Sequence, residues 1–254
     1  MNPKTHIILT LSLLAAGIVP ATATTVIYQD DFSGTAATGI HGSVPDVRPG
    51  SQTWSAHAGV TFGPSGGAFI AASSTSRNAY LPFTPEAGHL YDLRVTVAFA
   101  TTSTQTRSMQ MGFFGSASPL TDSSLTDSAS NGPVIFLRNV GTYEARVAGN
   151  SSLAGFNGTL TDAAILPHVL RITLDTSGAQ WFMRAYIGDQ QIGSGTSFAP
   201  KTIGAVGFSV NTSSSINASG TFSNFILTSE VIPEPGSILF GMMSGAALLT
   251  RRRR

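Results

Sequence analysis

From Leu90 to Phe99 the chain alternates with a period of two: Tyr91, Leu93, Val95, Val97 and Phe99 fall on one face, with Asp92, Arg94, Thr96 and Ala98 on the other. That period fits a half-buried β-strand and no helix. The same pattern returns at Ser108 to Phe114, Val134 to Arg138, Thr142 to Val147, Val169 to Leu174, Gln180 to Ile187, Ala205 to Val210 and Thr221 to Thr228. Stretches rich in Ser, Asn, Asp and Gly, such as Thr121 to Gly132 and Gly149 to Gly158, lie between these runs and read as turns and loops. No segment between the two chain ends sustains a helical period. The expectation is an all-β, two-sheet antiparallel sandwich, of a size that favours a jelly roll over a seven-stranded immunoglobulin type.

The ends differ from this body. Lys4, the apolar run Ile7 to Val19 and the small-residue sequence Pro20-Ala21-Thr22-Ala23 predict a secretory signal peptide, a helix cleaved after Ala23 with Ala21 and Ala23 as the recognised small residues. A secretion translocon and signal peptidase are the partners this implies. At the other end, Pro233-Glu234-Pro235 should be stiff and extended, because each proline fixes its own φ and disfavours helix in the residue before it. A helix from Gly236 to Thr250 would span about 22 Å, short of the roughly 30 Å hydrocarbon core, and the following Arg251, Arg252, Arg253 and Arg254 would snorkel to headgroups on the cytoplasmic side. The chain therefore divides into a signal peptide (1–23), a sandwich (24–229) and a tail (230–254) that holds the precursor at the inner membrane.

In that order, Pro233-Glu234-Pro235, a short apolar stretch and the Arg251 to Arg254 cluster resemble the PEP-CTERM sorting signal. The resemblance covers the last two dozen residues. It implies recognition at Pro233, Glu234 and Pro235 by an exosortase-type membrane transpeptidase of Gram-negative bacteria that make exopolysaccharide, with cleavage nearby and delivery to the cell envelope, surface or extracellular matrix.

Charge has to be read without the ends. Taking out Lys4, the four terminal arginines and Glu234 leaves nine basic and twelve acidic residues from totals of 14 and 13, a net charge of −3. No Lys/Arg stripe with interleaved aromatics remains, so a nucleic-acid partner is not expected. The chain has no cysteine, so stability must come from its core rather than from disulfides.

The order of segments in the body carries a second resemblance. Tyr28-Gln29-Asp30-Asp31-Phe32-Ser33-Gly34 opens the mature chain, Trp54 follows in a glycine-rich region, Leu170 to Asp175 precedes Trp181-Phe182, and Ile203 to Phe208 leads to a closing Phe222 to Leu227. This resembles the concanavalin A-like (LamG-like) lectin/glucanase jelly rolls. The resemblance implies pairing of the first and last strands, which would bring Asp30 beside Asn224. Trp54 and Trp181 are expected in the core or at its edge, with sugar stacking as the alternative. Structural calcium sites occur in such jelly rolls, and Asp30, Asp31 and Asn224 are the candidate oxygen ligands here. A solvated turn is the competing reading of the two adjacent acids, and calcium needs six to eight oxygens.

Signals for catalysis are sparse. Glycosidases of this architecture set two carboxylates across the scissile bond, whereas Glu86, Glu144, Glu230 and Glu234 form no Glu-x-Asp-x-x-Glu cluster. Asp162, Asp175 and Asp189 sit singly near turns. Gly63-Pro64-Ser65-Gly66-Gly67 matches the Gly-x-Ser-x-Gly pattern, but a nucleophile elbow requires a strand-to-helix turn that the surrounding β pattern does not offer. His41, His57, His89 and His168 lack zinc-site spacing. No catalytic residue and no cofactor other than structural calcium is therefore expected. The reading is an exported, non-enzymatic surface or matrix protein that contacts extracellular polysaccharide, with Arg138 among the side chains that would hydrogen-bond sugar hydroxyls. The alternative is an exported glycan hydrolase of the lectin/glucanase fold.

Overall fold

The computed structural model describes residues 23–71, 76–100, 108–115, 132–147, 152–160, 166–211 and 219–233. The expected signal helix with Ala21, the apolar tail helix, Glu234, Pro235 and Arg251 to Arg254 lie outside the described residues. Among the described residues no helix is long and apolar enough to cross a membrane.

Along the chain the strands are β1 (Thr25–Asp30), β2 (Ser55–Ala56), β3 (Val60–Phe62), β4 (Ala68–Ile70), β5 (Arg77–Pro82), β6 (His89–Phe99), β7 (Ser108–Phe114), β8 (Pro133–Arg138), β9 (Thr142–Val147), β10 (Ser152–Thr159), β11 (His168–Asp175), β12 (Trp181–Ile187), β13 (Gln190–Phe198), β14 (Ala205–Asn211) and β15 (Gly220–Val231). They form two antiparallel sheets. The first has the order β13-β12-β11-β6-β15-β4-β3, with β1 also pairing β15; the second has the order β10-β9-β8-β7-β14-β5-β2. The compact unit runs from Ala23 to Ile232. Its C-terminal edge lies beyond the expected boundary at 229, because Glu230 and Val231 remain paired with Leu90 and His89 of β6.

The first sheet follows its sequence pattern. On β6, Tyr91, Leu93, Val95, Val97 and Phe99 are buried while Arg94 points out, and Leu170, Ile172 and Leu174 of β11 with Met183, Ala185 and Ile187 of β12 extend the same inner layer. The last strand breaks the period. Its register against β6 shifts between Ser223 and Ile226, and Asn224 takes a left-handed φ of 52°. This bulge lets Phe222 and Phe225, three residues apart, both reach the core. Asparagine tolerates that conformation better than most residues.

The second sheet departs from the alternation read in the sequence. All seven residues of β7 are buried, as are the first five of β8. Met109, Met111, Phe113, Ile135 and Leu137 face the core. Ser108, Gln110, Phe114, Val134 and Phe136 alternate with them on the outer face and are buried as well. Two glycines make the close approach of strands possible there: a Cβ on Gly207 would meet the carbonyl of Ala79, and one on Gly112 the carbonyl of Pro133.

Between the sheets, Trp54 sits 5.4 Å from Phe32, 5.4 Å from Phe208 and 5.1 Å from Phe225, and Phe208 stacks on Phe222 at 4.3 Å. Burial of each such ring contributes about 1.5–3 kcal/mol, and the tilted and edge contacts add to that.

Candidate functional site

Three places gather polar chemistry. The first is the end of β1, where the expected pairing of first and last strands brings Asp30 opposite Phe225. Asp30 is buried, and its carboxylate accepts from Trp54 Nε1 at 2.6 Å and from Phe32 N at 2.6 Å. The second bond holds Phe32 at a left-handed φ of 58°, turning its ring into the core beside Trp54. Burial pushes the Asp30 carboxyl up to about 6, against the lowering effect of these two bonds and with a smaller push from Asp46 and Asp31. Asp31 accepts from Ser33 N, and Asp46 accepts from Asp31 N at 3.0 Å. Asp46 arrives because the segment around it bridges β1 through Gln29 and Val47.

Oxygens of Asp30, Asp31 and Asp46 lie within 4.8 Å of one another, so this is a candidate cation site. Asn224 does not take the expected part in it. It belongs to the β15 bulge, and its amide donates to Thr96 Oγ1 of β6 at 3.5 Å, whereas β1 lies on the other side of β15. Asp46 is the third acid instead, a residue with no sequence signal because its proximity is created by the loop. Both Asp30 oxygens already accept protein hydrogen bonds, so Asp30 works first as the hub that orders Trp54 and Phe32.

The second place is the outer face of the second sheet. Glu144 is buried between Arg138 (2.8 Å) and Arg146 (2.7 Å), and both guanidinium groups lie over the Phe136 ring at 4.8 and 4.9 Å. The arginine side chains are 25% and 17% exposed, which puts the rim of the face within reach of solvent. Deeper in, Ser209 donates to Gln110, which donates to Ser108, and Tyr80 packs with Phe114 and Ala205. Among the described residues Glu144 is the sole carboxylate on this face. Arg138 carried a sequence expectation, but Glu144 and Arg146 were missed as its neighbours; their i, i+2 spacing on one strand face was the available signal, and the β8–β9 register that brings Arg138 to them had none.

The third place is a pocket of about 510 Å³ at one end of the sandwich, walled by the start of β1, the segment from Pro82 to Tyr91 and the end of β15. His89 Nδ1 lies 2.7 Å from Ser229 Oγ, and Nε2 lies 3.3 Å from a Glu86 carboxylate that is 79% exposed. The atoms are in the order of a Ser–His–acid relay. Ser229, however, is paired on both sides, with Thr25 and Tyr91, so its amide belongs to a ladder rather than to an oxyanion hole. Burial raises the Tyr28 hydroxyl to about 12 and also raises Tyr91, consistent with the apolar walls.

Trp54 is core; Trp181 is half-buried and meets Phe198 edge-on at 6.2 Å. Ser65 lies in the hairpin loop between β3 and β4, where Gly63 N donates to Gly67 O, so no strand-to-helix elbow exists there. Asp175 caps its turn by accepting from Ser177, and Asp189 is exposed in the turn between β12 and β13; Asp162 lies outside the described residues. His41 and His57 bind local backbone amides, and His168 lines a separate pocket. Ala23 is exposed shortly before β1, and Pro233 follows β15 after Ile232, whose N is bonded to Gly88 O.

No family model and no curated protein matches the chain. Solved structures do. An endo-1,3-β-glucanase from Streptomyces sioyaensis aligns with a TM-score of 0.58 at 10% identity, over 81% of this chain and 96% of that one. The carbohydrate recognition domain of Emp47p aligns with a TM-score of 0.52 at 14% identity, over 80% and 94%. At these identities the likeness establishes the fold: an all-β, two-sheet sandwich of the lectin/glucanase kind.

Proposed function

We propose that this protein is an exported, non-enzymatic surface or matrix protein whose sandwich contacts exopolysaccharide or another envelope glycan after sorting by an exosortase-type transpeptidase. The observation that carries the glycan part is the Arg138–Glu144–Arg146 clamp over Phe136. Both Glu144 oxygens are engaged by guanidinium groups, so this carboxylate is poorly suited to general acid or base work, while glycoside hydrolysis ordinarily takes two carboxylates flanking the bond. The remaining guanidinium N–H groups at the partly exposed rim suit sugar hydroxyls. Fold likeness to a carbohydrate recognition domain supports the same reading.

The test is affinity electrophoresis against the polysaccharide of the producing envelope. An Arg138→Ala/Arg146→Ala variant should bind at least tenfold more weakly. Release of reducing ends by the wild type would instead adopt the hydrolase reading, which the likeness to a glucanase favours. Sorting is tested by intact mass of the envelope-recovered protein: loss of both ends in the wild type, with the C-terminal end retained in Glu234→Ala, is expected, and an uncut C-terminus in both would sink it.

A further inference from the structure

We infer that the pocket at the end of the sandwich is a second saccharide site, one that takes a neutral, hydroxyl-rich end of a glycan; this rests on the glycan reading above. Its volume of about 510 Å³ falls in the range of small-molecule sites, roughly 300–1,000 Å³. Its polar groups include the acceptors of Gln52 and Glu86 beside the hydroxyls of Thr25, Thr84 and Ser229. Gln52 Oε1 is buried with no hydrogen-bond partner, and the main-chain carbonyl of Gln52 accepts from Arg48, which fixes the backbone from which the side chain projects. A buried acceptor without a partner costs about 1–3 kcal/mol, a cost that the Gln52 side chain would shed by turning its amide toward a ligand hydroxyl in the pocket it lines. At the rim, the Glu86 carboxylate is 79% exposed and offers further acceptor oxygens.

The walls complete the match. His89 is stacked on Tyr91, with ring centroids 5.6 Å apart and planes 13° apart, and Phe83 meets Tyr91 edge-on at 5.1 Å, so the apolar side is rigid and suited to the C–H faces of a sugar ring. The Ser229 hydroxyl fixes the His89 ring from behind. Among the described residues no lysine or arginine lines the pocket. An anionic unit such as a uronate or a phosphate would meet Glu86 with no counter-charge, whereas sugar hydroxyls, which both donate and accept, match Gln52, Glu86 and the lining hydroxyls.

The experiment is NMR titration of the full chain with trisaccharides of neutral hexoses, with an oligouronate and with an amino-sugar trisaccharide. Neutral trisaccharides should shift the His89 and Tyr91 ring signals, and Gln52→Leu should weaken that binding at least tenfold. The same variant should leave Tm unchanged or raised, because it removes an unsatisfied acceptor. Tighter binding of the oligouronate or of the amino sugar would overturn the neutral-ligand assignment. Shifts confined to β8 and β9, with Gln52→Leu binding like the wild type, would overturn the pocket and leave the glycan reading standing. No shift with any saccharide would overturn both.

Discussion

Asp30→Asn isolates the electrostatics of the end of β1. In the folded protein burial raises this carboxyl from its ordinary 3.8 to about 6. Between those values the unfolded chain releases the proton before the folded one does, so the folded state binds more protons and stability falls as pH rises through the window. The shift corresponds to about 3 kcal/mol at ~1.36 kcal/mol per unit. Exposed Asp31 and Asp46 admit solvent at the carboxylate's edge, and screening reduces the expectation to about 1–2 kcal/mol. Asparagine keeps one acceptor and presents an amine to the other donor, either Trp54 Nε1 or Phe32 N, a cost of about 1–3 kcal/mol that does not depend on pH. Urea unfolding followed by far-UV circular dichroism from pH 4 to pH 7, in EDTA, should therefore show the variant's deficit shrinking by about 1–2 kcal/mol as pH rises. A deficit that stays flat would refute the burial argument. A deficit that grows with pH only when calcium is added would mean that the three acids hold the ion and that the cation lowers the pKa.

Trp54→Phe removes the indole N–H and part of a packed ring, and leaves one Asp30 oxygen without its donor; a loss of about 3–5 kcal/mol in urea unfolding is expected, with the Asp30 titration moved further up in carboxyl NMR. At Asp92, burial raises the carboxyl, but hydrogen bonds from Arg94 and Arg171 outweigh it and hold the group below 3.8. Its contribution is thus complete at neutral pH and lost as pH falls through the lowered folded value, so Asp92→Asn should cost about 1 kcal/mol at pH 7 and progressively less in acid. Gly207→Ala would drive a Cβ into the Ala79 carbonyl between β14 and β5, and a drop in Tm of more than about 8 °C is expected; a variant that melts like the wild type would refute the close approach of those strands.

The parts of the fold legible in the sequence are those where one face meets water. On β6 the alternation was complete, and on β11 and β12 the outward residues Arg171 and Arg184 marked the outer side although Thr173 is buried and Phe182 and Tyr186 share that face. On β7 and β8 the outer face is buried too, and residues such as Ser108, Gln110 and Phe136 carry no simple mark of burial by polarity. The β15 bulge was hidden for a related reason: Phe222 and Phe225 look out of phase until Asn224 adopts a left-handed φ. Site residues were legible only when local. Asp30 and Asp31 are adjacent and were found; Asp46, Gln52 and the pairing of Ser229 with His89 depend on loops and long-range register that composition does not encode.

The position of the last strand sets where the chain can end without loss to the sandwich. Ser229 pairs with Thr25 of β1 and Tyr91 of β6, Val231 pairs with His89, and Ile232 N closes the ladder on Gly88 O. The proposed sorting motif starts at Pro233, one residue past that bond. A chain ending at Ile232 should therefore keep every described strand pair and melt within about 2 °C of the full chain, since few stabilising contacts of the described body are lost. Ending at Thr228 removes the last rungs against two neighbours at once. At about 1 kcal/mol for each lost ladder bond it should cost at least ~3 kcal/mol and abolish the His89–Ser229 bond. If the two truncations prove equally stable by urea unfolding, the end of β15 is not a structural part of the sandwich, and a cut nearer the body than Pro233 would be tolerated.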